Sequence, residues 1–234
     1  IYFILYFKKS PFLEHSFIMY RNICVRSVFF IRSFSTRTNS SFHSYTAPLN
    51  RITDKSMCQH LIQQYGFGQL IIVDTKSHFP IVSHIPFILH PTRGEHGTLV
   101  AHVARNNHIH TLLSQAQETN NEILTIFQGP HGYVSSQWYR PVPEVPTWNY
   151  AIVHCYGIPR IVDVTHEMLN ELVTDNESKY THHIDGTDDK KWSLNEMNPR
   201  LIDRQIEHIV GFEIDITRFE GKFKLSQNKD HATK

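Results

Sequence analysis

From Gly97 the residues alternate in character. Thr98, Val100, His102 and Ala104 fall on one side of an extended chain and Leu99, Ala101 and Val103 on the other, which predicts a strand ending at Arg105 and Asn106. The period then changes. Ile109, Leu112, Leu113 and Ala116 recur at helical spacing between Asn107 and Gln117. Upstream, Asp54 can cap a helix carrying Met57, Leu61, Ile62 and Tyr65, with Gly66 and Gly68 at its end. The β-rich runs Gln69 to Asp74 and Pro80 to His90 are split by turn residues such as Lys76 and Ser77, and with Gly97 to Ala104 they predict consecutive antiparallel strands.

Further along, Glu122 to Gln128 reads as a strand, Gly129-Pro130 as a turn and His131 to Ser135 as a new run. Thr147 to Tyr156 and Ile158 to Val164 read as two long β segments, rich in β-branched and aromatic residues. A helix is expected from about Thr165, with Met168, Leu169, Leu172 and Val173 on one side, followed by a polar excursion from Thr174 to Asp189. A short helix fits Leu201 to Ile206, and a final strand alternates from Ile209 to Ile216 before EGKFKLSQNKD at Glu220 to Asp230. No internal repeat or nucleotide glycine fingerprint is present. Short turns, few helices and many β runs predict a mainly β fold, an antiparallel barrel with helices around it.

One stretch exceeds what a loop needs. Ile126 to Gly157 holds two tryptophans, four tyrosines, two histidines and four prolines. Trp138, Tyr139, Trp148 and Tyr150 each combine a flat apolar face with a polar edge, which suits either a plug at the barrel end or a wall around a planar ligand.

Charge narrows the partners. The 234 residues carry a formal net charge of +1, but residues 1–43 hold six basic side chains against Glu14 alone, so the remaining 17 basic and 21 acidic residues leave the body at −4. A body of that sign gives no electrostatic reason to grip a duplex, and no helix-turn-helix pattern appears. Seventeen histidines include the spaced pair His108 and His110 and the adjacent His182 and His183, yet no metal-ligand spacing joins them. Cys24, Cys58 and Cys155 are odd in number and far apart, which argues for reduced thiols. The opening apolar run IYFILYF is too short to span a bilayer. From Met19 to Thr53 the chain is basic, serine-rich and free of acid, with Arg32-Ser33-Phe34-Ser35 resembling a matrix-processing site, so a mitochondrial leader is expected and a cytoplasmic protein otherwise. The chain thus divides into an extension over residues 1–43 and one domain over residues 44–234.

In order, SHIPF at Ser83 to Phe87, GTLVAHVARNN at Gly97 to Asn107, IFQGPHGYVSSQWY at Ile126 to Tyr139, VPTWNYAIVHCYG at Val145 to Gly157, and VGFEI with GKFKLSQNK at Val210 to Lys229 resemble the PaiB-type family. The resemblance covers about residues 50–230. It implies an FMN-binding split β-barrel related in fold to pyridoxamine phosphate oxidases, and a homodimer with the flavin site between subunits. Bacterial members of that family are negative regulators of sporulation and protease synthesis. Carried over position by position, His84, Thr98, His102, Arg105, Lys224, Ser226, Gln227 and Asn228 are placed near the flavin phosphate or ring edge. Trp138, Tyr139 and Trp148 would wall the isoalloxazine or meet the partner subunit. The sequence departs from the family at Gly132, Ser136 and Lys229, where Ala, Pro and Arg are common. From the residues alone, Arg105 can equally hold a phosphate beside the following helix start or pair with Glu118 or Glu122.

Three functions compete. The first is a flavoenzyme moving hydride from a nicotinamide nucleotide to a small acceptor, with His131 and His154 as candidate acid–base groups by type. The second is a transcriptional regulator or flavin-dependent sensor working through a protein partner. The third is a structural dimer that binds haem or nothing.

Overall fold

The computed structural model describes residues 43–139, 144–181 and 191–229. All but His43 of the extension over residues 1–43, with the start of the candidate leader at Met19, and the His182–His183 pair lie outside the described residues. Among the described residues eight strands form one antiparallel sheet. They are β1 (Arg51–Ile52), β2 (Phe67–Val73), β3 (Pro80–Pro86), β4 (Ile88–His90), β5 (Thr98–Ala104), β6 (Ile123–Val134), β7 (Thr147–Val162) and β8 (Ile209–Lys224). Their order is β3-β2-β6-β7-β8-β5-β4, with β1 added to β8. The helices are α1 (Lys55–Gln64), α2 (His108–Glu118), α3 (His166–Tyr180) and α4 (Pro199–Ile206).

Side-chain caps start all four helices. Asp54 accepts from the Ser56 amide at 2.8 Å, Asn107 from Ile109 at 3.0 Å, Thr165 from Met168 at 3.1 Å and Asn198 from Arg200 at 3.0 Å. The apolar faces behind two of these caps enter the barrel: Cys58, Leu61 and Ile62 from α1 and Ile109, Leu112, Leu113 and Ala116 from α2 join Leu70, Leu99, Phe127, Val153, Phe212 and Ile214 in one core. Phe87, in the link between β3 and β4, meets Phe127 edge-on at 5.6 Å and Phe212 at 6.0 Å, so one ring connects β6 to β8 across the interior. Cys58 and Cys155 are free and buried, and burial pushes the Cys58 thiol up to about 12, so it is inert at neutral pH.

Three local expectations are corrected. Gly129-Pro130 is not a turn but a bulge within the continuous strand β6. Tyr156 and Ile158 likewise belong to one strand, β7, whose register against β8 shifts between Tyr156 and Gly157. Gly157 is there for close approach: a Cβ on it would stand 2.5 Å from the Asp215 carbonyl oxygen and 2.6 Å from Ile214 Cγ2. The helix that begins at Thr165 also outlasts its apolar side, running to Tyr180 where a polar excursion was expected from Thr174.

The sheet has an inner and an outer face. Helix α3 lies over the outer face of β8, where a Cβ on Gly211 would meet Met168 Cε at 3.2 Å, and His90 Nε2 reaches Glu171 Oε1 at 3.3 Å. On the same face β8 presents Glu220, only 4% exposed, which anchors the amino-terminal end of the domain. Its carboxylate accepts from the His43 amide at 2.8 Å, His43 Nδ1 at 3.1 Å, the Ser44 amide and hydroxyl at 3.3 Å, and Arg218 at 2.8 Å. Lys222 Nζ continues the grip on the Tyr45 carbonyl at 2.8 Å.

Candidate functional site

Register sorts the expected site residues. On the outer face Gln69 of β2 stands between His84 of β3 and Ile126 of β6, and Ile126 stands opposite His154 of β7. His84 is exposed and its ring stacks on Phe67 at 6.4 Å. Farther along β6 and β7, Tyr150 pairs with His131 and Trp148 with Tyr133, while on the other side Tyr150 pairs with Lys224. These pairs make one corner of the sheet aromatic and cationic.

Trp148 is 54% exposed, and it meets Tyr133 edge-on at 5.7 Å and His131 at 6.4 Å. Lys224 Nζ donates to the Thr147 hydroxyl and, at 2.6 Å, to the Trp148 carbonyl. Ser226, at φ +60°, donates to Asn149 Oδ1 at 3.0 Å, and Gln227 binds the backbone at Phe223 and Leu225, so both shape the turn that ends β8. Asn228 is exposed at the same turn. Trp138 is 70% exposed in the 3-10 turn Ser136–Tyr139. Its neighbour Tyr139 is buried, with a hydroxyl that has no partner among the described residues and Lys229 Nζ 5.4 Å from the ring centroid.

Thr98, His102 and Arg105 do not join this corner. They lie on β5 and its end, which pairs with the opposite half of β8: Thr98 faces Asp215 and His102 faces Gly211, whereas the corner begins at Lys224. Thr98 is buried and its hydroxyl lies 3.0 Å from Asp215 Oδ1 and 3.2 Å from the Arg93 carbonyl. Burial holds the His102 imidazole below its ordinary pKa, and its Nδ1 has no partner among the described residues. Arg105 does not pair with Glu118 or Glu122 among the described residues. Its Nε donates to the Glu207 carbonyl at 2.8 Å and an Nη to the Ile209 carbonyl at 3.0 Å, tying the end of β5 to the start of β8, while Glu122 pairs with Arg218. A cavity of about 450 Å³ lined by Ala104, Arg105, Asn106 and His208 lies beside it. Arg105→Ala is therefore expected to lower stability by roughly 1–2 kcal/mol in urea unfolding, and Arg105→Lys, lacking the planar fork, to recover little of it.

A family profile described as "Putative FMN-binding domain" matches residues 44–218. The protease synthase and sporulation protein PAI 2 of Bacillus subtilis is 31% identical over 182 residues, covering 78% of this chain and 81% of that protein. The chain belongs to the PaiB-type FMN-binding family. Another relative, an uncharacterized protein of Emericella nidulans, is 30% identical over 200 residues, covering 74% of this chain and 80% of its own length. Among solved structures, a conserved protein from Mycobacterium tuberculosis superposes with a TM-score of 0.53 at 12% identity over 80% of this chain and 95% of that one. The flavocytochrome Anf3 from Azotobacter vinelandii superposes with a TM-score of 0.51 at 11% identity over 78% and 74%. These two share the fold, and the split barrel is the family's frame for FMN.

This aromatic and cationic corner has the chemistry that the ring half of a flavin would need. Exposed Trp148 and Tyr133 offer flat faces, and the third proton of Lys224 offers a donor. The structure brings the expected residues Trp148 and Lys224 together with Tyr133, whose only signal in the sequence is the aromatic density of Ile126 to Gly157.

Proposed function

We propose that this chain is a homodimeric flavoprotein that binds FMN against the outer face of β6, β7 and β8 and serves a nicotinamide-dependent reduction of a small acceptor. The observation that carries this reading is the solvent-facing corner of Trp148, Tyr133, His131 and Lys224, an aromatic wall beside fixed donors on a flavin-family barrel. Bound FMN supplies two-electron chemistry. The chain's own residues hold the ring face through Trp148, offer a hydrogen bond from Lys224, and keep the wall rigid through the β6–β7 pairing.

A second copy is supported by apolar side chains left in the open on the same face. Phe67 is 60% exposed, Val73 57% and Val82 49%, and Ile71, Leu124, Ile126 and Ile152 continue the patch across β2, β6 and β7. A two-fold partner seated there covers that patch and brings in its own copies of His102 and Arg105, which a single chain holds away from the corner. A sensor acting through a different protein would use the same patch. The body charge of −4 disfavours a duplex as that partner.

The test is to purify the full chain, record its visible spectrum and titrate FMN while following flavin fluorescence and elution mass. Flavin bands or saturable quenching in a dimer-sized species are expected. A colourless monomer that leaves FMN fluorescence unchanged would sink the proposal, and a mobility shift with random duplex at low salt would revive the nucleic-acid version.

A further inference from the structure

Residues three apart on a regular strand face opposite ways. In β6, Gln128 pairs with Ile152 and His131 with Tyr150, so Gly129 and Pro130 together stand opposite Ala151 alone. That extra residue returns Gln128 and His131 to the same outer face, re-aiming side chains as bulges do beside functional sites. The bulge is tightly seated: a Cβ on Gly129 would approach Leu61 Cδ1 at 3.1 Å and the Ala151 carbonyl oxygen at 3.4 Å.

The re-aimed pair has a defined chemistry. Gln128 Nε2 lies 3.1 Å from His131 Nδ1. An amide nitrogen donates and does not accept, so Nδ1 receives that bond and the neutral imidazole carries its proton on Nε2. No described residue accepts from that Nε2–H. Trp148 stands 6.4 Å from the His131 ring at a 33° tilt, with Tyr133 against its other flank, and Lys222 Nζ lies 5.5 Å from the Tyr150 ring. An electron-rich wall, a fixed N–H and nearby ammonium groups suit an electron-poor ring with an oxygen at its rim.

We propose that the Gln128–His131 pair and the Trp148–Tyr133 wall form a seat for a planar conjugated ring bearing an edge carbonyl, with His131 Nε2–H donating to that oxygen. Two sources share this chemistry: the isoalloxazine of FMN and a separate quinone-like substrate. The first source rests on the flavoprotein reading above, and the second does not need it.

The experiment titrates the full-length protein and its His131→Phe and Trp148→Leu variants with FMN and, separately, with menadione as the quinone probe, following intrinsic fluorescence. His131→Phe keeps a ring but removes the donor, and it is expected to weaken the seated ligand about three- to tenfold. Trp148→Leu removes the wall and is expected to weaken it about two- to tenfold. The probe that responds names the source. Nitrogen-15 NMR of the ligand-free protein should show His131 Nδ1 unprotonated in the neutral ring, a readout that activity does not enter. Saturable FMN binding with neither probe altered in either variant would overturn the seat and leave the flavoprotein reading standing. Menadione binding that weakens in the variants while FMN fails to bind would do the reverse. A His131 ring protonated on Nδ1 would overturn the donor assignment outright.

Discussion

Phe87→Ala is expected to lower unfolding free energy by about 3–5 kcal/mol. Phe87 is 2% exposed and sits where the chain passes from β3 to β4, with its amide donating to the Gly66 carbonyl at 2.8 Å. Its ring is edge-on to both Phe127 and Phe212, neither of which is exposed. Truncation leaves a cavity between two strands that do not adjoin in the sheet, and it also removes two aromatic pairings worth about 0.5–1.5 kcal/mol each beyond their buried area. Gly66 packs closely on the Phe87 backbone, since a Cβ there would stand 2.6 Å from the Phe87 carbonyl oxygen. Urea titration at constant slope measures the loss. A change below about 1 kcal/mol would show that the three rings do not form one packed unit.

The second large effect belongs to Glu220. Burial alone would raise its pKa, but the backbone and side-chain bonds from His43, the Ser44 amide and the Arg218 charge outweigh burial and hold the carboxyl below its ordinary value. A glutamate whose pKa is lower when folded contributes stability in full above its unfolded value, about 4.3, and loses it as pH falls through the folded value. Burial, against the opposing pull of the Glu220 charge, holds the His154 beside it below its ordinary value, so His154 also weakens the fold as pH falls below about 6.5. Glu220→Ala is expected to cost about 3 kcal/mol at neutral pH, since it leaves Arg218 with Glu122 as its one carboxylate partner among the described residues and frees two backbone amides at once. Hydrogen exchange should localise the damage: amides at His43 and Ser44 lose protection while those of β6 keep theirs. Glu220→Gln retains an acceptor and should recover part of the loss but none of the acid sensitivity below pH 4. An unchanged exchange rate at Ser44 would contradict the anchoring role.

The helices were legible in the sequence because apolar spacing marks where each begins; the cap expected at Asp54 forms, and Asn107 and Thr165 also cap theirs. Strand continuity was not, because glycine and proline mark both turns and bulges. Gly129-Pro130 and Gly157 serve pairing geometry that only a partner strand reveals. The site divided in the same way. Trp148 and Lys224 could be found because aromatic density and the family blocks both flag them. The role of Arg105 could not, since its acceptors are carbonyls at Glu207 and Ile209, about a hundred positions away and invisible to any side-chain pattern. Glu220 was likewise silent: an acid in a strand reads as solvent-facing until the segment that covers it is placed.

Strand β8 also governs when the barrel can close. It pairs with β7 along nearly its whole length, with β5 over its first half and with β1 near its end, where Arg51 meets Lys222 across most of the domain's sequence. Almost every such contact closes a long loop, which places the chain among slow folders rather than among helical bundles that assemble from neighbours. During synthesis β1, β5 and half of β7 must wait with open edges until residues past Ile209 leave the ribosome, so the nascent chain is most exposed to sticking just before β8 arrives.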